Sequence, residues 1–223
     1  MAGVSLVIPA YNEENRIVKT LEAVLALDVF EQILVVNDGS TDQTSYQAEQ
    51  LGIEVLEVDR NRGKGGAMNY SLPYIKGDVV VFLDADLGDS AAEVHKVLAP
   101  VLAGHADLAI AAFPPAKKKG GFGLVKNTAA RAIQRAGVMQ VNAPLSGQRV
   151  MTRAVLEAVT PFNEAYGVEL GMTIRALRQG FRVVEVPTNM THNETGRDLS
   201  GFIHRGKQFV DVLKVIWSEK RRK

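Results

Sequence analysis

Short apolar runs alternate with amphipathic segments through the first half of the chain. The apolar runs occupy residues 4–9, 32–36, 54–58 and 79–83, with 106–111 as a fifth. The amphipathic or glycine-led segments between them occupy residues 13–27, 41–51 and 64–75. Buried parallel strands joined by crossover helices have this pattern. The pattern therefore predicts an α/β fold.

The second half changes character. Its spacing predicts helices at residues 124–136, 152–158, 169–178 and 202–217. A turn is expected at Ser146 and Gly147, and a late strand at 182–186 that Pro187 closes. No linker-like composition separates the halves, so residues 1–112 and 113–223 are expected to form one compact domain.

Composition and charge narrow the class of protein. The chain has 26 Lys and Arg against 25 Asp and Glu, a net charge of +1, which gives no global field to attract nucleic acid. The absence of cysteine excludes disulfides, thiolate metal sites and a cysteine nucleophile. The first residues lack a basic leader, and no run reaches about 18 apolar residues. A cytoplasmic protein is expected.

Polar residues follow the first and second predicted strands. Ligands of open α/β sheets bind beyond the carboxyl ends of the strands, so a site is expected there. A carboxylate such as Asp38, directly after a buried strand, is costly to desolvate unless a donor satisfies it, and the imide N–H of a base would do so. Tyr11 can stack on a base, and Glu13 can accept hydrogen bonds from ribose hydroxyls. The alternative is that Glu13 and Glu14 only cap a helix that starts there.

A glycine-rich basic segment opens the third predicted helix at residues 61–66. Backbone N–H groups at a helix N-terminus, together with the Lys64 charge, suit an anion such as a phosphate. The segment is neither a P-loop, since no Ser or Thr follows Lys64, nor a dinucleotide motif, since Met68 replaces its last glycine. Nucleotide hydrolases and simple dinucleotide oxidoreductases are therefore disfavoured.

Two carboxylates, Asp84 and Asp86, end the most apolar strand. In extended backbone, residues i and i+2 point to the same side, so both can reach one small region unless a turn intervenes. Two like charges there invite a divalent cation, and oxygen ligands suit Mg²⁺ or Mn²⁺ with a nucleotide diphosphate. The alternative is a loop with two solvated aspartates.

Four segments in order, SLVIPAYNEE, VVNDGSTD, NRGKGGAMN and FLDADL, resemble GT-A-fold glycosyltransferases of the family 2 type. The resemblance implies a Rossmann-like, mixed, mostly parallel sheet flanked by helices. It also implies a nucleotide-sugar donor half at 1–112, an acceptor-side half at 113–223, and a DxD metal motif at Asp84, Ala85 and Asp86. The implied donor-binding residues are Pro9, Ala10, Tyr11, Glu13, Asp38, Lys64, Asp84, Ala85, Asp86 and Tyr166.

The segments YGVELG and MTH of the second half are similar to the glucosyl-3-phosphoglycerate synthase family. That similarity implies that Tyr166 and Glu169 line the sugar site and that His192 completes a metal site with Asp86 and Asp84, with His204 as the competing histidine. The acceptor-binding candidates are Gly147, Arg149, Glu169 and Arg197.

The acceptor itself stays open because two segments depart from the synthase pattern. Residues 120–125, GGFGLV, lack the arginine and threonine of its phosphate-binding segment, and Met190 stands where the synthase has arginine. A phosphorylated small molecule and a polyprenyl phosphate are both candidate acceptors.

The expected activity is metal-dependent transfer of a sugar, with glucose preferred, from a UDP-sugar. Asp86, through the cation, and Lys64 would stabilise the departing diphosphate, and Glu169 would be the base of an inverting enzyme. A sugar nucleotidyltransferase and a non-catalytic nucleotide-sugar-binding, membrane-surface protein are the alternatives. Contact with the inner face of a membrane and a homodimer are further expectations.

Overall fold

The computed structural model describes residues 3–114, 124–137, 141–163, 167–191, 210, 212–219 and 221. Its centre is a seven-stranded sheet in the order β3-β2-β1-β4-β6-β5-β7. The strands are β1 (Val4–Ala10), β2 (Gln32–Asn37), β3 (Glu54–Glu57), β4 (Val79–Phe82), β5 (Leu108–Ala112), β6 (Arg149–Thr152) and β7 (Val183–Pro187). Five of these seven strands match the predicted apolar runs and β7 matches the predicted late strand, so the α/β prediction is confirmed.

Helices connect the strands. They are α1 (Ile17–Leu25), α2 (Thr44–Glu49), α3 (Lys64–Ser71), α4 (Val94–Leu102), α5 (Leu124–Ala136), α6 (Arg153–Val159) and α7 (Val168–Arg178), with 3₁₀ turns at Leu72–Tyr74 and Gly88–Glu93. Residues 212–219 form a further helical segment, here called the terminal helix. The rest of the helix predicted at 202–217 lies largely outside the described residues. Helix α4 was not predicted, and it contains Pro100 in its interior, which sequence rules place outside helices.

The sheet is mixed because one strand runs against its neighbours. Strands β2, β1 and β4 are parallel, as are β3 with β2 and β5 with β7. Strand β6 pairs antiparallel with both β4 and β5, and no strand was predicted there. Since β6 and β7 come from the second half of the chain, both halves contribute to one sheet.

Apolar side chains cover both faces of the sheet. Leu6 and Ile8 of β1 belong to a cluster with α1 and α4, whereas Val7 belongs to a cluster with α3, α6 and α7. Burial on both faces is the reason that these strands are apolar without alternation. A third cluster joins α5, α7 and the terminal helix, with Ile174 and Val215 among its members.

A buried ion pair fastens the terminal helix to α7. The Nε and Nη2 atoms of Arg175 lie 2.9 and 2.8 Å from Oε1 of Glu219, and Nη1 donates to the carbonyls of Val159 and Pro161 at 2.6 Å. Arg175 is 7% exposed and Glu219 is 1% exposed.

Within the described part of the chain, no helix has the length and apolarity that a membrane crossing requires.

Candidate active site

The loops after β1 and β2 are joined by hydrogen bonds. The amide of Asp38 donates to the carbonyl of Ala10 at 2.9 Å. Asn12, whose φ is +54°, donates its amide to Ser40 Oγ at 2.9 Å and accepts from the amide of Thr41 at 2.9 Å. The first two segments predicted to bind the nucleotide, which include Pro9 and Ala10 at the end of β1, therefore lie side by side.

These contacts also correct one prediction. Helix α1 begins at Ile17 with no acidic residue in its first turn, so Glu13 and Glu14 do not cap it. Their amides instead donate to the side chains of Thr44 and Asp42, at 2.8 and 3.1 Å. The chain turns at residues 14–16 before the helix, where the amides of Arg16 and Ile17 donate to the Glu13 carbonyl at 3.0 and 2.9 Å.

Asp38 is buried against the third segment. It is 3% exposed, and its Oδ1 accepts from the amide of Arg62 at 2.8 Å. Burial raises the pKa of Asp38, while the amides of Arg62 and Gly63 oppose that shift. The adjacent Gly39 has a φ of +73°, and a β-carbon there would lie 2.8 Å from the amide nitrogen of Asn61. The segments VVNDGSTD and NRGKGGAMN are thus packed together.

Lys64 lies between two carboxylates. Its Nζ is 2.5 Å from Oδ1 of Asp84 and 2.9 Å from Oε1 of Glu169. Burial lowers the pKa of Lys64, but the attraction of Asp84 and Glu169 outweighs burial and holds this pKa above its usual value. Residues at the start of α3, after β4 and at the start of α7 therefore meet, which brings the two halves of the chain together in one site.

The two aspartates after β4 face different neighbours. The chain turns at Ala85 and Asp86, and Thr20 Oγ1 donates to the Ala85 carbonyl at 2.8 Å. Asp84 contacts Lys64, whereas the charge of Asp86 acts on Glu13, whose pKa is raised by burial and then by Asp86. The extended i and i+2 geometry does not hold here, because the turn comes between the two side chains.

The carboxylates of Asp84 and Asp86 are hard oxygen ligands, which Mg²⁺ and Mn²⁺ prefer, and one or two of them suffice beside a diphosphate. Across the described residues, no group of three or more His, Cys, Asp or Glu side chains suits a metal. His192 and His204 lie outside the described residues, as do Tyr166 and Arg197. The assignment of the metal ligands thus remains a prediction. The carboxylate oxygens of the two aspartates are chemically compatible with it.

Arg149 is fully buried, at 0% exposed. Its Nε donates to the Ser146 carbonyl and its Nη1 to Thr173 Oγ1, both at 2.8 Å, while Nη2 has no hydrogen-bond partner among the described residues. Burial lowers the pKa of Arg149 to about 10, and the charges of Glu169 and Glu185 oppose that shift. Arg149 joins the turn before β6 to helix α7, and its contact with an acceptor remains a prediction.

Gly147 and Gln148 complete the site. A β-carbon on Gly147 would lie 2.3 Å from Nζ of Lys64 and 2.8 Å from Oδ2 of Asp84, so only glycine leaves room for that pair. Gln148 Nε2 donates to Oδ2 of Asp84 at 2.6 Å. Sequence reasoning missed Gln148 because a lone glutamine has no distinctive chemistry. The only indication was its place between Gly147 and Arg149.

A buried carboxylate, an ion-paired lysine and a pair of aspartates lie at the carboxyl edge of a mostly parallel sheet, which is where open α/β folds bind their ligands. Residues 5–155 match the family model described as glycosyl transferase family 2. The chain belongs to that family, as its four ordered segments indicated.

Particular relatives are similar to this chain in sequence. Glucosyl-3-phosphoglycerate synthase of Mycolicibacterium smegmatis is 32% identical over 191 residues, which are 77% of this chain and 63% of the relative. Glycosyltransferase AglD of Haloferax volcanii is 30% identical over 242 residues, covering 96% of this chain and 37% of the relative. The chain thus spans under two thirds of the length of either protein.

A solved structure has a similar fold. The Mycobacterium tuberculosis glucosyl-3-phosphoglycerate synthase in complex with Mn²⁺, UDP-glucose and phosphoglyceric acid matches with a TM-score of 0.81 and 27% identity. The match covers 97% of this chain and 79% of that one. Another structure of that synthase contains Mg²⁺ and UDP. The GT-A fold expected from the sequence is confirmed.

Proposed function

We propose that this chain is a metal-dependent glycosyltransferase that moves glucose from UDP-glucose to a phosphorylated acceptor. The observation that carries the proposal is the placement of Lys64 between Asp84 and Glu169 at the edge of the sheet that also holds Asp38. Membership of glycosyl transferase family 2 favours transfer over the nucleotidyltransferase and the non-catalytic alternatives.

The donor nucleotide would lie across the loops after β1 and β2. The buried Asp38 would accept the imide N–H of uracil, which repays its desolvation. Tyr11 is 47% exposed at the same edge and is available to stack on the base. Glu13 would accept from the ribose hydroxyls.

The sugar diphosphate would lie toward the Lys64 end of the site. Lys64 is held as a cation by its two carboxylates, so it can stabilise the charge that builds on the departing diphosphate. Glu169 is 7% exposed and lies 2.9 Å from Lys64, where it can orient the sugar or, in an inverting reaction, accept the proton of the acceptor hydroxyl. A retaining reaction needs no base at that position, and both stereochemical outcomes stay open.

A divalent cation would be held by Asp86, with Asp84 and His192 as the further candidate ligands. Bound there, Mg²⁺ or Mn²⁺ would neutralise diphosphate oxygens as a Lewis acid. Structures of the M. tuberculosis synthase that contain these ions support the assignment. Asp86 lies close enough to Glu13 for its charge to raise the pKa of Glu13, which supports a place for the cation near the loop after β1.

The sequence departs from the synthase pattern in segments expected to bind the acceptor. Met190, which replaces an arginine of their pattern, is 1% exposed and belongs to the apolar cluster around α1 and α4. Arg149 is buried as well and its contact with an acceptor stays a prediction, while Met190 carries no charge that could bind a phosphate. A phosphorylated small molecule remains the first acceptor to test, since the synthase structure contains phosphoglyceric acid. A polyprenyl phosphate is the second.

The test is a screen of UDP-sugars with Mg²⁺ or Mn²⁺, with UDP release as the readout, first without an acceptor and then with phosphoglycerates or a polyprenyl phosphate. We expect release from UDP-glucose that the cation activates and that Asp86→Ala abolishes. Asp89→Ala is the matched control, because Asp89 is exposed in the next turn of the chain and should behave as the wild type. Asp86→Ala with full turnover in saturating cation would refute the metal role.

Contacts with a membrane or a second copy, and a cytoplasmic location, also remain predictions. What supports a surface contact is an exposed row of Val210, Leu213 and Trp217, beside a cavity of about 310 Å³ whose lining includes Arg131 and Arg135. Liposome flotation with anionic and neutral vesicles, beside sedimentation of the free protein, separates the two. Leu213→Ser should weaken whichever contact exists.

A further inference from the structure

Gln148 is a buried amide with a fixed orientation. It is 1% exposed, and its side chain contacts Oδ2 of Asp84 at 2.6 Å. An ionised carboxylate only accepts hydrogen bonds, so the amide must present Nε2 to it. The other end of the amide, Oε1, accepts from Ser146 Oγ at 3.3 Å, and the Gln148 carbonyl accepts from the amide of Ala111 at 3.0 Å. The glutamine is thus held by its neighbours on two sides.

Asp84 is consequently held at both oxygens. Gln148 donates to Oδ2, and Lys64 donates to Oδ1 at 2.5 Å. A neutral amide leaves the charge of the carboxylate to attract Lys64, whereas a cation at that place would compete with the lysine for it. The amide therefore fixes the direction of Asp84 without weakening its ion pair.

We propose that Gln148 is a positioning residue that sets the place of Lys64 through Asp84. The contacts run from Gln148 to Asp84, from Asp84 to Lys64, and from Lys64 to Glu169. This inference rests on the proposed function, in which Lys64 stabilises the departing diphosphate. Without the amide, the Asp84 carboxylate loses its donor at Oδ2, so the direction in which Oδ1 meets Lys64 is no longer set from that side.

The first test is a double-mutant cycle on UDP release and on UDP affinity. Gln148→Met keeps the length of the side chain and removes the donor. It should lower kcat/KM for the UDP-sugar about tenfold to hundredfold, the factor for losing a hydrogen bond to a charged group. In an Asp84→Asn background the same change should cost less than about twofold, because Gln148 acts through the Asp84 charge. Losses that simply multiply would indicate a packing role and overturn the proposal.

A matched control separates position from chemistry. Gln134 is exposed on α5, and Gln134→Met makes the same chemical change away from the site. It should leave kcat/KM and UDP affinity at the wild-type values. A loss in Gln134→Met equal to that in Gln148→Met would overturn the inference.

A crystal structure of Gln148→Met is the readout that does not depend on the reaction. We expect a rotated Asp84 carboxylate and a Lys64 Nζ beyond hydrogen-bond distance of it. Contacts of Lys64 with Asp84 and Glu169 that stay unchanged would overturn the inference, whatever the activity. A wild-type protein that neither binds UDP nor releases it from any UDP-sugar would refute the proposed function instead. The crystal structure of Gln148→Met would still test whether Gln148 sets the position of Lys64.

Discussion

Alanine at Gly147 is the sharpest perturbation of the site. The added β-carbon would lie 2.3 Å from Nζ of Lys64 and 2.8 and 2.9 Å from the two carboxylate oxygens of Asp84. An ordinary contact needs more than about 3.4 Å, so the lysine must retreat by about 1 Å. A shift of that size away from Asp84 lengthens their 2.5 Å contact to about 3.5 Å, the limit of a hydrogen bond.

The expected loss follows from that contact. A hydrogen bond to a charged group contributes about 1.5–3 kcal/mol, which is a tenfold to roughly hundredfold change in rate. We therefore expect kcat/KM of Gly147→Ala for the UDP-sugar, measured as UDP release, to fall by that factor. The melting temperature should change by no more than about 4 °C, because the clash is with the mobile ends of two side chains.

Gly137→Ala is the matched control. The three atoms nearest to its β-carbon would all belong to the apolar side chain of Leu177, the first at 3.1 Å. It should keep the wild-type kcat/KM. Full activity in Gly147→Ala, or a loss of activity that follows unfolding of the variant, would refute the argument that glycine is needed there for the Lys64–Asp84 pair.

Three further predictions test other parts of the molecule. Lys64→Met should lower kcat about 10²–10³-fold, the factor for removing one donor at a developing charge, whereas Lys76→Met, which changes an exposed lysine, should match the wild type in UDP release. Asp38→Asn should weaken UDP binding and raise the free energy of unfolding at pH 7. Because burial raises the pKa of Asp38, its ionised form costs stability above the folded pKa, and in urea melts the gain should shrink as the pH falls and Asp38 is protonated. Glu219→Ala leaves Arg175 buried without its carboxylate and should cost about 3–5 kcal/mol of unfolding free energy in urea melts, with the exposed Glu49→Ala as control. An unchanged kcat in Lys64→Met would contradict the first prediction. A stability gain in Asp38→Asn that does not vary with pH would contradict the second, and equal unfolding free energies of Glu219→Ala and Glu49→Ala would contradict the third.

The nucleotide side of the site was largely predictable. Asp38 and Lys64 each follow an apolar strand or open a helix, and parallel strands bring their carboxyl ends to one edge. The turn at Ala85 and Asp86 was not predictable in the same way, because the sequence of these two residues is compatible with an extended strand end and with a turn. Its direction depends on Thr20, which donates to the Ala85 carbonyl from α1.

The acceptor side was less predictable because it contains a charged side chain, Arg149, that is buried in the fold. A strand beginning with Arg149 is not expected in the middle of a sheet, since a buried guanidinium is costly without partners. The partners, the Ser146 carbonyl and Thr173 Oγ1, lie on other elements, and the second belongs to α7. A charged residue whose acceptors are distant in sequence is assigned to the surface by local reasoning.

By itself, then, the order of apolar runs and polar loops determined the α/β class, the edge of the sheet where a ligand site is expected and the residue types available there. Only the tertiary structure decided which of them touch: Lys64 with Asp84 and Glu169, and Gln148 with Asp84. Periodicity records which side of an element is buried, whereas a contact between side chains depends on how separate elements pack, to within a fraction of an ångström.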